Sequence, residues 1–497
     1  MDEAHSPLDR RTERRFPDPN EWNHGEANGK ICPTKVIVKR VRGSFSLFGR
    51  AGIILFVSLW LIYGLLINSD NLQAFNLQQI GVEAIAERGH FYLEGSATPQ
   101  LRPLGDTFVY AEHTYAAKQP GQFMAGAAAY YVLHCFGLSY RDNYLLCSAL
   151  VTFLTISLAT AVAAVFVFRF AKYLANRQST LWPALAALTF AFGTTALPYS
   201  GIAHHDALAT DYLIIACYFV FRLSREHFAQ QGEIIRAGAA GLLFGLTITT
   251  SMLPALMAVT AVVWFVSFRR WRLSLILLFG GVIGLMPLFV YDAANFGNPF
   301  LLPNWAGHFS DTYFRPSWHN LVDKLRFYAR FVTEYVPTFW LGLIGVFCLP
   351  QKFRREAILF FCLIIVLLAY ILNIDTVGTC MYGPRYLLPA MPFVSIGLTG
   401  FSYLRTSWLY RAVLAIVIGV GLFSAFVNVV GAMHGAMYCD LSRFALWPYL
   451  NAIARGQGRS FPLLPWLIGP TILLCLFGMI VFGLRSIQTR PVAPAGN

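Results

Sequence analysis

Twelve times along its 497 residues this chain enters an apolar run close to the length that crosses a bilayer. A hydrocarbon core of roughly 30 Å needs about 20 residues of helix. Within lipid the backbone amides must find partners inside the segment itself, so uninterrupted runs of this length fold as helices. The runs lie at 51–67, 147–168, 181–198, 207–222, 237–252, 255–268, 273–291, 336–350, 357–373, 387–403, 412–431 and 463–484. The expected fold is therefore an all-α polytopic membrane protein with about 12 transmembrane helices. Composition excludes a soluble globular chain, with 56% hydrophobic residues, 13% charged residues and a mean hydropathy of +0.54.

The net charge of +13 raises the question of nucleic acid, but topology explains it better. Lys and Arg collect on short cytoplasmic loops, and a chain with many such loops becomes basic. With the N-terminus inside and 12 spans, every basic cluster falls on the cytoplasmic side: Arg169/Lys172/Arg177, Arg222/Arg225/Arg236, Arg269/Arg270/Arg272, Lys352/Arg354/Arg355 and Arg405/Arg411. A thirteenth apolar run at 121–137 would invert all of them, so it is expected as a helix lying in or on the outer interface. Residues 1–44 carry no cleavable signal pattern and no periodic apolar face, and are expected as a disordered basic cytoplasmic tail. Residues 45–484 then form the membrane domain and 485–497 a second cytoplasmic tail.

Four segments face outward: 68–146, the short turn at 201–206, 292–335, and the late loops 375–386 and 433–463. In the third, Leu321, Leu325, Tyr328, Val332 and Tyr335 recur at helical spacing with Asp323, Lys324, Arg326 and Arg330 between them, the pattern of an interfacial amphipathic helix. The first loop reads as helical over 71–88, where Leu72, Phe75, Val82 and Ile85 share a face. No internal repeat of fixed period is evident, which weakens a transporter built on inverted repeats.

The polar residues of the outer segments carry the chemistry. Asp70 follows the first span directly; it is either a cap for the helix that begins there or a general base at the lip of a cavity. The stretch 105–121, GDTFVYAEHTYAAKQPG, is polar, aromatic and turn-rich, and holds Asp106, Glu112, His113 and Lys118. A lysine there contacts either lipid headgroups in general or one specific phosphate. His204, His205 and Asp206 share the second outer turn. Adjacent histidines do not share a helical face and no third ligand is obvious nearby, so no metal site is assigned. Asp211, about one turn further on, enters the next span and is expected to face the protein interior. Arg385 and Tyr386, in MYGPRYLLPAMPF, stand where an outer loop turns into a span, a position that also suits snorkelling to headgroups.

In this order the motifs resemble the GT-C superfamily of membrane glycosyltransferases. The nearest kin are bacterial relatives of the dolichyl-phosphate-mannose protein mannosyltransferases and the lipid A aminoarabinose transferase. The strings that carry the resemblance are GHFY, GDTFVY, HTYAAKQPG and YGPRYLLPAMPF, and it covers residues 50 to 400. It implies interfacial helices in the first outer loop, Asp70 as catalytic base, Lys118 on the lipid phosphate, and Asp206, Arg385 and Tyr386 as the matching later positions. The family often has a second acid after the first, where this chain has Asn71; Glu83 or Asp106 could then serve as base. Asp106, His113, His204 and His205 are further cavity candidates.

The implied activity is transfer of a sugar, with inversion, from a polyprenyl-phosphate donor to an envelope glycan, lipid or protein acceptor on the outer face of the cell (inner) membrane. Expected partners are that donor, the acceptor and membrane lipids, with no nucleic acid. No cofactor is firmly implied, though a divalent cation is compatible. The alternatives are a transporter or flippase of lipid-linked saccharides, an enzyme akin to O-antigen ligases or polymerases, and a non-catalytic membrane partner. Of the nine cysteines, Cys380 and Cys439 both face outward and could pair if their Cα atoms lie within about 7 Å.

Overall fold

The computed structural model describes residues 49–102, 105–176, 179–226, 228–308, 320–378, 380–474 and 476. The expected tails at 1–44 and 485–497 lie outside them. The chain is a multi-pass helical bundle. Among the described residues six helices are long and apolar enough to cross a membrane: Tyr144–Leu174, His205–Arg225, Gln230–Thr250, Trp271–Phe296, Gln351–Asn373 and Ser407–His434. Shorter apolar helices occupy Arg50–Leu65, Leu181–Phe192, Ala255–Val266, Thr338–Phe347 and Leu464–Leu474. The remaining expected run, 387–403, is a broken helix of 3-10 and α turns around Met391–Gly397. Pro389 and Pro392 in this stretch remove backbone donors and explain the break.

Among the described residues Gly121–Cys135 is a 15-residue helix. It packs on the helices of the first outer loop, where its Phe123 and Tyr130 bury against Ile80, Val82 and Tyr140. The first outer loop otherwise contains Ser69–Ala74, Asn76–Glu83 and the wider turn Ala84–Arg88, so the helical reading of 71–88 holds with a break at Phe75.

Helix packing relies on close backbone approach. Gly241 and Gly245 face Leu277, Gly281 and Gly284 so closely that a Cβ on Gly241 would stand 1.9 Å from the Leu277 carbonyl oxygen. In lipid, where burial of apolar surface drives helix pairing little, such small-residue seams hold helices together through van der Waals contact.

The two ends of the bundle differ. At one end the basic loops meet. Arg225 donates to Glu356 at 2.6 Å and to the Lys352 carbonyl at 2.7 Å, and Arg270 donates to Glu233 at 2.7 Å. The other end collects the acidic and histidine-bearing loops. Here Cys380 and Cys439 form a disulfide with their Cα atoms 3.7 Å apart, joining the two late loops.

Two features depart from the sequence expectation. Part of the first outer loop is a hairpin, β1 (Thr107–Tyr110) paired antiparallel with β2 (His113–Ala116), with Thr107 opposite Ala116 and Tyr110 opposite His113. Its two-residue connection, Ala111 and Glu112, has φ of 46° and 70°, the left-handed backbone that tight hairpin turns require. Lys324 departs as well. The amphipathic helix Leu321–Tyr335 forms, but Lys324 belongs to its buried face, while Val322 and Leu325 are exposed. The Lys324 ammonium donates to the carbonyls of Leu372 at 3.2 Å and Ile374 at 2.8 Å, where the preceding helix runs out of internal partners.

Candidate functional site

The hairpin places the first cation. Residue 106 lies just outside the ladder, and its carbonyl accepts the Ala117 N–H at 2.7 Å. Lys118 follows directly, before Pro120 starts the Gly121–Cys135 helix. The Lys118 ammonium sits 3.1 Å from the Asp106 carboxylate, and the lysine is mostly buried while Asp106 is 64% exposed.

The second outer turn supplies the cavity's acid. His204 caps the His205–Arg225 helix, its Nδ1 accepting the Asp206 N–H at 3.2 Å. Burial and the neighbouring His205 push the His204 imidazole well below its usual pKa. Gln78 lies 3.3 Å from His205 Nδ1, and with the amide as donor the proton sits on Nε2, 3.4 Å from Asp206. The Asp206 carboxylate is 3% exposed and accepts the Ser251 hydroxyl at 2.6 Å. Asp211 is also buried, as expected, with Thr160 donating to it at 2.8 Å.

Arg385 closes the group from the late loop. Its Nε lies 3.9 Å from Asp206 Oδ2, and its guanidinium stands over the Tyr386 ring at 4.6 Å. Among the described residues that buried Nε has no hydrogen-bond partner. Lys118, His205, Asp206, Arg385 and Tyr386 thus line one open cavity. The same wall includes Gln119, Ser251, Asn304 and Tyr370, which the sequence reading did not single out. Gln119 donates to Asn304 at 3.0 Å, tying the first outer loop to the third. Ser251 lies within the expected run 237–252, where nothing in the sequence sets it apart, and nothing in the sequence joins Asn304 to Gln119.

Other expected residues lie elsewhere. Asp70 is not part of this cavity's lining. It is 30% exposed, 3.5 Å from Arg459, and stands against Gly435. The cap of its helix is Asn68, whose side chain accepts the Asn71 N–H at 3.1 Å, so Asp70 itself is not the cap. His113 pairs with Glu94 at 2.7 Å and stacks on Tyr92 on the outer side of the hairpin. Glu83 is buried against Arg88 and Ser96, and burial raises its carboxyl pKa. Asp106 behaves oppositely: burial works to raise its pKa, but Lys118, Arg385 and His205 outweigh burial and hold it below the usual carboxylate range.

His204, His205 and Asp206 offer ligand atoms within 4.8 Å of one another, an arrangement able to hold a cation. His204 Nδ1, however, is already engaged by the Asp206 amide, and the Arg385 guanidinium faces the same carboxylate.

Solved structures of membrane transferases are similar to this chain. ArnT from Cupriavidus metallidurans bound to undecaprenyl phosphate matches with a TM-score of 0.49 and 14% identity, over 85% of this chain and 76% of that one. Its apo state matches at 0.48 and 16%, over 85% and 72%. The archaeal oligosaccharyltransferase AglB from Archaeoglobus fulgidus, in complex with an inhibitory peptide and a dolichol-phosphate, matches at 0.45 and 11%, over 79% of this chain and 57% of that one. No protein-family model and no curated protein matches the chain.

Chemically, the cavity is a cationic socket with an internal acid. A lysine gives a compact charge and an arginine a directed set of donors, a combination suited to phosphate oxygens. The low-dielectric wall strengthens both.

Proposed function

We propose that the protein is an inverting glycosyltransferase that takes a sugar from a polyprenyl-phosphate donor on the outer face of the membrane. The observation that carries this reading is the buried Arg385 Nε, 3.9 Å from Asp206 and without a hydrogen bond among the described residues, lining one cavity with Lys118. A buried donor of this kind costs stability unless an acceptor satisfies it, and a phosphate oxygen is an acceptor of the right charge. The Cys380–Cys439 bridge supports placing this end of the bundle outside the cytoplasm, since disulfides persist in oxidising compartments. The basic loops gathered at the opposite end support the same orientation, with both termini cytoplasmic.

In this mechanism Lys118 and Arg385 stabilise the charge that builds on the leaving phosphate, and Tyr386 supports the guanidinium. The phosphate leaves without needing an acid. Asp206 holds Arg385 and is itself held by Ser251. The acceptor hydroxyl needs a base, and we assign that role to Asp70, whose carboxylate is accessible and held only by one long ion pair. One displacement inverts the anomeric carbon. The donor's tail lies along the apolar helix faces exposed to lipid. A second reading makes Asp206 the base, favoured by its place in the cavity wall.

Envelope mass spectrometry of a deletion strain tests both. A sugar restored by the wild-type gene but not by Asp70→Asn supports the first assignment. Restoration by Asp70→Asn but not by Asp206→Asn moves the base to Asp206. Restoration by both, with loss of Lys118 also tolerated, removes the transferase reading and favours a lipid-saccharide transporter.

A further inference from the structure

We infer that Asp106 is a built-in counter-anion that occupies Lys118 when no lipid phosphate is bound and competes with that phosphate for it. The inference rests on the phosphate-binding reading above and concerns how the same site is loaded and emptied.

Register makes the pairing. Because Thr107 is opposite Ala116, Asp106 falls beside Ala117, and its carbonyl is fixed there by the Ala117 N–H at 2.7 Å. Its φ of 47° lies in the left-handed region, which Asp tolerates better than most residues. The backbone is therefore tied to the lysine's strand while the side chain stands in solvent. The carboxylate reaches back 3.1 Å to the lysine at the cavity wall. Nothing else holds that carboxylate: among the described residues it has no second ion pair and no hydrogen bond to another side chain.

Charge counting gives the pairing a purpose. In the cavity Lys118 and Arg385 carry two positive charges and Asp206 one negative, while His205, whose Nδ1 accepts from the Gln78 amide, is neutral. One positive charge is left over, and Asp106 at the rim cancels it. A polyprenyl-phosphate sugar is a phosphodiester with a single negative charge, so it replaces Asp106 one for one. After transfer the carrier is a phosphate monoester of about −1.5 to −2 charge, which the cations would grip more tightly than the donor. Product release is then the harder step. A tethered carboxylate that can retake Lys118 as the phosphate shifts outward eases that release, and an accessible ion pair is weak enough to exchange in this way.

A base role for Asp106 fits the geometry less well. Its carboxylate is already committed to Lys118, the residue that must stay charged for the donor.

The test measures equilibrium binding of radiolabelled undecaprenyl phosphate to the purified full-length protein in zwitterionic detergent micelles, with undecaprenol as the phosphate-free control. Wild type, Asp106→Asn, Lys118→Ala and the double variant are compared. The expected result is a Kd about threefold to tenfold lower for Asp106→Asn. That gain should disappear in the Lys118→Ala background, and undecaprenol binding should not change. Unchanged or weaker binding by Asp106→Asn overturns the counter-anion, while the phosphate site stands if Lys118→Ala still binds less than wild type. An equal gain with and without Lys118 also overturns it, because the effect would then be general charge and not competition for that lysine. Equal binding by wild type and Lys118→Ala removes the phosphate site itself, and the counter-anion with it.

Discussion

Asp206 and Asp70 are both carboxylates of the same end of the bundle, and the protein treats them in opposite ways. Asp206 is 3% exposed and surrounded by Ser251, His205 and Arg385, so its oxygens are committed to holding the cavity together. Asp70 is 30% exposed and touches one arginine at 3.5 Å. Its neighbourhood is a latch between the first and last outer loops. Asn68 donates to the Ala432 carbonyl at 2.7 Å, Asn71 accepts the Ala436 N–H at 2.8 Å, and Ser69 donates to the Ser460 carbonyl at 2.9 Å. On the proposed mechanism the contrast separates two jobs: the buried carboxylate orients cations, and the accessible one takes the acceptor's proton. The Ala436 carbonyl in turn accepts the Tyr382 N–H at 2.9 Å, so the latch and the Arg385 loop meet at the same residue.

The largest effect that would sharpen this division comes from Asp70→Asn. Turnover should fall by about 10²- to 10⁴-fold, the range for a general base, with undecaprenyl phosphate binding unchanged. Single-turnover assays on purified protein read both quantities; full turnover would assign the base to the cavity. Next in size are Lys118→Ala and Arg385→Ala, each expected to cost about 10²- to 10³-fold in rate, as loss of one transition-state donor does elsewhere. These two should also weaken binding of the phosphate lipid and leave undecaprenol alone. If they lowered rate without touching phosphate affinity, the cations would serve the acceptor and not the donor.

The disulfide tests whether the two regions are mechanically one. It closes a segment of 59 residues between the Arg385 loop and the latch. Replacing both cysteines, Cys380→Ser with Cys439→Ser, should cost about 2–4 kcal/mol of stability, read as a lower thermal midpoint in detergent. Turnover at low temperature should fall further than stability explains, because Arg385 and Asp70 lose their shared frame. Unchanged turnover in the folded variant would show that the two loops hold their places independently.

The sequence made the bundle readable because each span declares itself locally, by length and apolarity. Eleven of the expected runs coincide with helical segments, and of the twelfth the described part, Leu464–Leu474, is helical. The charge bias of the loops sets 121–137 apart from them as an expectation; the segment contains a 15-residue helix packed on the first loop's own helices. The hairpin was not legible, since its turn is Ala-Glu and lacks the Asn-Gly or Asp-Gly pair that marks such turns. Lys324 was assigned to the polar side of its helix because its partners are carbonyls 48 and 50 residues away. The shared outer side of Lys118, Asp206 and Arg385 could be inferred from topology, and the structure adds that one cavity wall holds them. The partner of Asp70, Arg459, lies too far along the chain for any local pattern to join them.

Asp106 gives the smallest effect and the finest test of the contrast, because it is a third carboxylate of the same end and the most exposed of the three named. Lys118, Arg385 and His205 depress its pKa in the folded protein against the opposing effect of burial. A depressed carboxylate pKa stabilises the fold above the unfolded-state value, near 3.9, and that contribution is lost as pH falls through the lower folded value. With 64% of the side chain exposed, solvent screening limits the contribution to within about 0.5 kcal/mol. Asp106→Asn should therefore leave the thermal midpoint at pH 7 almost unchanged, and the small difference from wild type should vanish in acid. A large loss at pH 7 would mean that Asp106 braces the hairpin as Asp206 braces the cavity, and the distinction between structural and exchangeable carboxylates would no longer hold at this position.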